Sequence, residues 1–159
     1  MPIFYSPVEV IEMAVRTEKT GQKFYSETAK KTKSKILGAL FSFLALEELK
    51  HEKTYKKLYN IIKEDPRTMP YNLDEMGLYL QAITDSKFFL GSNKALSAIA
   101  KVKTPKALLD YAIQFEKETM LFYIEILNMI NSKNKPLVQS IITQEKHHIR
   151  KLTSMKDEV

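Results

Sequence analysis

Two Glu-x-x-His pairs are the residues of this chain whose type and spacing suggest chemistry. Glu48 and His51 stand in Leu44-Ala45-Leu46-Glu47-Glu48-Leu49-Lys50-His51, and Glu145 and His148 in Ile141-Ile142-Thr143-Gln144-Glu145-Lys146-His147-His148. On a helix, positions i and i+3 project toward the same neighbour, so each pair offers one carboxylate and one imidazole to one point. Both pairs interrupt apolar stripes. Leu37, Leu40, Phe41 and Leu44 precede Glu48 on its face, and Tyr55, Leu58, Tyr59 and Ile62 follow it; Leu137, Val138, Ile141 and Ile142 precede Glu145, and Ile149 and Leu152 follow. An ionised carboxylate buried without a partner is costly enough that its pKa shifts instead, so the arrangement calls for a compensating cation. The chain has three histidines, and two fill these positions; the third, His147, lies off the stripe and reads as a surface residue.

The elements that must position these pairs are helices. Ser6-Pro7-Val8-Glu9 has the form of a helix start, with Ser6 as cap, Pro7 at the first helical position and Glu9 completing a capping box. The stripe that follows, Val8, Ile11, Ala14, Val15, Glu18, Gln22, Tyr25 and Ala29, is broken by Glu18. After the polar run 30–35 a second helix is expected over about 34–63, ending before the breaker Asp65-Pro66. Between 66 and 103 the pattern weakens, with two short helical candidates near 73–84 and 93–101, and the segment reads as a crossover along the bundle. Thr104-Pro105 opens a third helix, and 131–136 separates it from a fourth over 136–156. Short connections favour antiparallel neighbours.

The third helix repeats the first. Ser6, Pro7, Ala14, Val15, Glu18, Lys19, Phe24 and Tyr25 return as Thr104, Pro105, Ala112, Ile113, Glu116, Lys117, Phe122 and Tyr123 at an offset of 98, and the Glu-x-x-His pairs recur at 97. The chain therefore reads as two related helical hairpins, each with one core-face glutamate, a tyrosine seven residues later and one Glu-x-x-His. The expected fold is all-α, a four-helix bundle with a long crossover between helices two and three, forming a single domain over 1–159.

Composition narrows the function. With 159 residues, 44% hydrophobic and 28% charged, the chain suits one globular domain. It has no cysteine, which excludes disulfides, cysteine-ligated zinc and iron–sulfur centres. No signal-peptide pattern and no apolar run near 18 residues is present, so a cytoplasmic, non-membrane protein is expected. The net charge of +6 raises nucleic acid as a partner. The lysines, however, are scattered between core positions as on solvated helix faces, and no nucleic-acid binding is expected.

Such a bundle brings Glu18 and Glu116 on one helix pair toward Glu48, His51, Glu145 and His148 on the other, an arrangement that resembles ferritin-like di-iron and di-manganese carboxylate bundles. Charge supports a pair of metal ions: four carboxylates balance two divalent cations, and the imidazoles stay neutral. Mixed oxygen and imidazole ligation suits two iron ions, with manganese or zinc as alternatives. Each piece alone has an ordinary structural reading: a single Glu-x-x-His is weak, and Tyr25 or Tyr123 alone is a core aromatic. The joint pattern favours the metal reading.

Through Glu18-x6-Tyr25, Glu48-x-x-His51, Glu116-x6-Tyr123 and Glu145-x-x-His148, the chain resembles the rubrerythrin-like branch of the ferritin-like superfamily over nearly its whole length. The resemblance implies a carboxylate-bridged di-iron oxidoreductase of oxidative stress defence, which reduces hydrogen peroxide or oxygen while Fe(II) is oxidised, and a homodimer. The metal residues are then Glu18, Glu48, His51, Glu116, Glu145 and His148, and Tyr25 and Tyr123 are the catalytic tyrosines, hydrogen-bonded to ligand carboxylates. Rubrerythrins proper carry a cysteine-rich rubredoxin domain; this chain lacks those cysteines, so a separate electron donor is expected. Thr119 stands where they usually carry a further glutamate, a residue tied to movement of the iron during peroxidase turnover. The rival expectation is a non-catalytic iron or metal-binding bundle with a storage or structural role.

Overall fold

The computed structural model describes residues 6–69, 74–84 and 100–159. Five α-helices occur among them: α1 (Pro7–Lys31), α2 (Lys35–Glu64), α3 (Asp74–Thr84), α4 (Pro105–Met129) and α5 (Lys135–Lys156), with a 3-10 turn at Pro66–Thr68. No strand is present among the described residues, and no described helix is long and apolar enough to cross a membrane.

The helix starts form as the sequence dictates. At α1 the capping box is complete: Glu9 N–H donates to Ser6 Oγ at 3.2 Å, and Ser6 N–H donates to Glu9 Oε2 at 2.8 Å. Ser34 caps α2 through Leu37 N–H at 3.3 Å, and Thr104 caps α4 through Ala107 N–H at 3.1 Å. The start of α5 differs. Asn134 makes no side-chain cap; its backbone and side-chain amides both donate to Asn131 Oδ1, which closes the tight turn before Pro136.

α1 packs on α2 and α4 on α5, and the two hairpins meet through α1 against α4 and α2 against α5. Two apolar cores fill the ends of the bundle. One contains Val10, Ile11 and Ala14 of α1, Tyr55, Leu58 and Ile62 of α2, Phe122, Tyr123 and Ile126 of α4, and Val138, Ile141 and Ile142 of α5. The other contains Phe24 and Tyr25, Leu37, Phe41 and Leu44, Leu109, Ala112 and Phe115, and Leu152. From the order in which each helix visits these cores, α1 is antiparallel to α2 and α4 to α5, while α2 and α4 run in the same direction. The chain between α2 and α4 therefore travels the length of the bundle, as expected of a crossover. α3 lies in this segment and packs on α4. The expected helix near 93–101 falls largely outside the described residues. Asn131 N–H donates to Thr68 C=O at 2.7 Å, fastening the start of the crossover to the α4–α5 turn.

Between the cores, at mid-height, each of the four long helices turns polar residues inward: Thr17 and Glu18, Glu48 and His51, Glu116 and Thr119, Glu145 and His148. All are buried. Each buried core side chain contributes roughly 1.5–3 kcal/mol of apolar transfer, whereas an unpaired buried charge opposes folding. The two cores thus support a waist that would not assemble by itself.

Candidate metal centre

The waist gathers all six residues that the spacing singled out. Glu18, Glu48, His51 and Glu145 each place one ligand-type atom within 4.8 Å of the others, and so do Glu48, Glu116, Glu145 and His148. Glu48 and Glu145 belong to both groups, Glu18 and His51 to one, and Glu116 and His148 to the other. Both imidazoles turn Nδ1 toward the carboxylates. His51 Nδ1 lies 3.1 Å from Glu145 Oε1 and 3.6 Å from Glu18 Oε2; His148 Nδ1 lies 2.8 Å from Glu145 Oε2 and 3.6 Å from Glu48 Oε1. The two rings stack with centroids 5.6 Å apart.

The tyrosines cross between hairpins. Tyr25 of α1 donates its hydroxyl hydrogen bond to Glu116 of α4, and Tyr123 of α4 donates to Glu18 of α1. Each tyrosine therefore fixes the isolated glutamate of the opposite hairpin. A spacing of seven residues places a tyrosine two turns from the glutamate of its own helix, too far to serve it, which is why the pairing is reciprocal.

The electrostatics of the waist are set by carboxylates buried close together. Burial raises the pKa of Glu48 well above the usual carboxylate range, and Glu18, Glu145 and Glu116 raise it further. Burial and Glu145 do the same to Glu116, opposed by the Tyr25 hydrogen bond. Burial opposes charge on His51, but the Glu18 and Glu145 carboxylates outweigh it and push its pKa up to about 11. Glu145 goes the other way: despite burial, hydrogen bonding to His148 and His51 holds its carboxyl below the ordinary range. The buried carboxylates thus disfavour one another's charge and favour positive charge beside them.

Hydrogen bonding points to the same place. Glu18 Oε2, Glu48 Oε1, Glu145 Oε1, His51 Nδ1 and His148 Nε2 are buried without a hydrogen-bond partner; His51 Nδ1 and Glu145 Oε1 touch, but outside hydrogen-bonding geometry. Buried polar groups are normally satisfied, so the orphan carboxylate oxygens and His51 Nδ1, which converge from three helices, fit a site for cations. The donor set of carboxylate oxygens and imidazole nitrogens suits iron or manganese.

Four neighbours of the site were not singled out from sequence. Gln144 Oε1 accepts a hydrogen bond from His51 Nε2–H at 2.7 Å. Gly21 lets Glu48 approach: a Cβ there would lie 2.8 Å from Glu48 Oε2. Its signal was available, since a glycine three residues past Glu18 on a buried helix face costs about 1 kcal/mol relative to alanine and implies a close contact. Tyr55 is fully buried, one turn past His51, with its ring 4.8 Å from that of Tyr123 and its hydroxyl unpartnered. In the sequence it belongs to an apolar stripe. Glu47, beside the first pair, also lies within ligand distance of both histidines. Thr119, noted in sequence, is buried with an orphan hydroxyl, while His147 is exposed as expected.

A four-helix bundle with a long crossover and buried Glu/His clusters at mid-height defines a ferritin-like protein with candidate metal sites. The family model of Rubrerythrin matches residues 9–156, and the chain belongs to that family. Among solved structures, it is similar to a Thermotoga maritima protein classed by inference as a ferritin-like diiron-carboxylate protein. The two share 27% identity with a TM-score of 0.75, covering 98% of this chain and 97% of the other. No curated protein matches it.

Proposed function

We propose that the chain is a di-iron oxidoreductase of rubrerythrin type, which reduces hydrogen peroxide or oxygen with oxidation of Fe(II), in the cytoplasm and with electrons from a separate donor. One observation carries this reading: two buried Glu/His groups that overlap in Glu48 and Glu145. In this reading Glu18, Glu48, His51 and Glu145 would hold one iron, and Glu48, Glu116, Glu145 and His148 would hold the other. When bound, the iron pair would supply the electrons that reduce peroxide or oxygen, to be replaced by the separate donor. The protein orients the ligands and keeps bulk water out. Six protein residues for two metals leave coordination positions open, as catalytic sites require and purely structural sites avoid. Tyr25 and Tyr123 hold Glu116 and Glu18 in place and put two hydroxyl protons at the edge of the centre.

The absence of cysteine supports a separate donor, because the chain carries no rubredoxin-type site. Thr119 adds no carboxylate on α4. A passive metal-holding role, with the metal stabilising the fold by mass action, is the alternative that Thr119 favours. The deciding experiment is metal analysis of the purified protein, then anaerobic Fe(II) loading and stopped-flow mixing with hydrogen peroxide. Two irons per chain, oxidised much faster than free Fe(II), are expected. Oxidation no faster than free Fe(II) would assign storage or structure, and zinc that iron cannot replace would remove the di-iron assignment.

A further inference from the structure

The outward sides of the two histidines differ. His51 Nε2 meets Gln144 Oε1 at 2.7 Å across the interface between hairpins. At the offset of 97 that relates the Glu-x-x-His pairs, the counterpart of Gln144 is Glu47, four residues before His51 as Gln144 is four before His148. The repeat thus places Glu47 to serve His148 as Gln144 serves His51. His148 Nε2 is buried without a partner, in a residue only 1% exposed, and ligand-type atoms of Glu47, His51 and His148 lie within 4.8 Å of one another. Glu47 instead pairs with Lys50 at 2.7 Å, but the Lys50 side chain is 70% exposed. Such a surface pair is worth less than an unsatisfied buried donor costs. The balance favours turning the carboxylate inward.

We propose that Glu47 is a positioning residue: its carboxylate accepts the hydrogen bond of His148 Nε2–H, and it gives the two metal positions unequal outer charge, anionic behind His148 and neutral behind His51. The proposal rests on the metal-centre reading above. A ligating imidazole needs its other nitrogen protonated and anchored, which fixes the tautomer and leaves Nδ1 free for the metal. A carboxylate acceptor makes the ring a stronger donor than an amide does. A third metal held by Glu47 and both histidines is the weaker reading, because each ring would have to lose its remaining proton while Nδ1 serves the centre.

The test uses the full chain loaded with zinc as a diamagnetic probe, with histidine-selective nitrogen-15 NMR, and then loaded with iron. Wild type should show hydrogen-bonded, slowly exchanging Nε2–H signals for both His51 and His148. Glu47→Leu should abolish protection at His148 alone and weaken metal binding about 10–100-fold. Glu47→Gln should restore the protected signal and the affinity, yet raise the reduction potential of the iron-loaded protein, since a neutral acceptor favours the ferric state less. Gln144→Leu should remove the His51 signal instead. Uptake of zinc with an unchanged His148 signal in Glu47→Leu overturns this proposal alone. An unchanged potential in Glu47→Gln overturns the unequal charge, and failure of wild type to bind metal overturns the centre and the proposal together.

Discussion

The two hairpins supply the same three candidate ligands, two glutamates and a histidine, from the same places, yet the residues around them differ. Gly21 on α1 corresponds to Thr119 on α4, Glu47 on α2 to Gln144 on α5, and Tyr55 on α2 to Leu152 on α5. The first hairpin lets Glu48 press against bare backbone at Gly21 and adds a buried tyrosine; the second presents an orphan hydroxyl at Thr119 and an apolar side chain at Leu152. The difference teaches that the ligands obey the repeat because the central charge balance is shared, whereas their surroundings are free to make the two positions inequivalent.

The largest break in this comparison comes from the ligands themselves. Glu48 and Glu145 belong to both groups, so Glu48→Ala or Glu145→Ala is expected to remove both metals. Glu18→Ala or Glu116→Ala, each in one group, should leave about one metal per chain. Metal-to-protein stoichiometry after loading and desalting distinguishes the cases. Equal losses in all four variants would show that no carboxylate is shared. With metal at about 100 times its Kd, full loss also removes roughly 2.7 kcal/mol of stability, visible as a lower Tm.

Gly21→Ala sharpens the comparison next. The added methyl meets the far end of Glu48, which can move, rather than rigid backbone. The metal-free fold should therefore melt almost as in wild type, while the displaced carboxylate weakens metal binding about 10–100-fold. Thr119→Ala, at the corresponding position, adds no bulk and should leave metal affinity nearly unchanged. Calorimetric titration with Fe(II) under anaerobic conditions checks both. A large fall in the Tm of metal-free Gly21→Ala would mean that the backbone, not the ligand, gives way.

How far the sequence disclosed this site follows from the range of the signals. Ligand types and helix faces are local, written at i, i+3 and i+7, so Glu18, Glu48, His51, Glu116, Glu145 and His148 stand out in the sequence, and the structure brings them together at the waist. The capping box at Ser6, the Thr104-Pro105 start and the Asp65-Pro66 stop likewise set the helix ends within a residue or two. Pairings between helices are not local. That Tyr25 serves Glu116 and Tyr123 serves Glu18, that Gln144 reaches His51, and that Glu48 and Glu145 join both groups depends on rotation and stagger of packed helices, which periodicity does not specify. Tyr55 was hidden for another reason: in a stripe with Leu58 and Ile62, an aromatic reads as core until its hydroxyl is seen to lack a partner.

The tyrosines give smaller effects. Tyr25→Phe and Tyr123→Phe each remove a hydrogen bond to a carboxylate, a contribution of about 1.5–3 kcal/mol to holding that group in place. Metal should remain bound, since no ligand is lost, but iron oxidation by peroxide should change in rate. Complete metal loss in the double variant would show that the tyrosines do more than orient Glu116 and Glu18.

The smallest effect is expected at Tyr55, the tyrosine without a counterpart in the second hairpin. Its ring is fully buried and packs against Tyr123, so the apolar contribution survives in Tyr55→Phe. Its hydroxyl has no partner, and burial followed by the charges of Glu18, Glu145 and Glu48 raises its pKa well above the ordinary value, so it stays protonated as a donor. Removing an unsatisfied buried hydroxyl while keeping the ring should leave the metal-free protein as stable as wild type, or more stable by up to about 1 kcal/mol. Tyr123→Phe should be destabilising under the same conditions, because its hydroxyl is bonded to Glu18. Chemical denaturation of the two metal-free variants makes the comparison directly. A loss at Tyr55 equal to that at Tyr123 would mean that the Tyr55 hydroxyl has a partner in solution, and the first hairpin would then contribute a third anchored tyrosine to the waist.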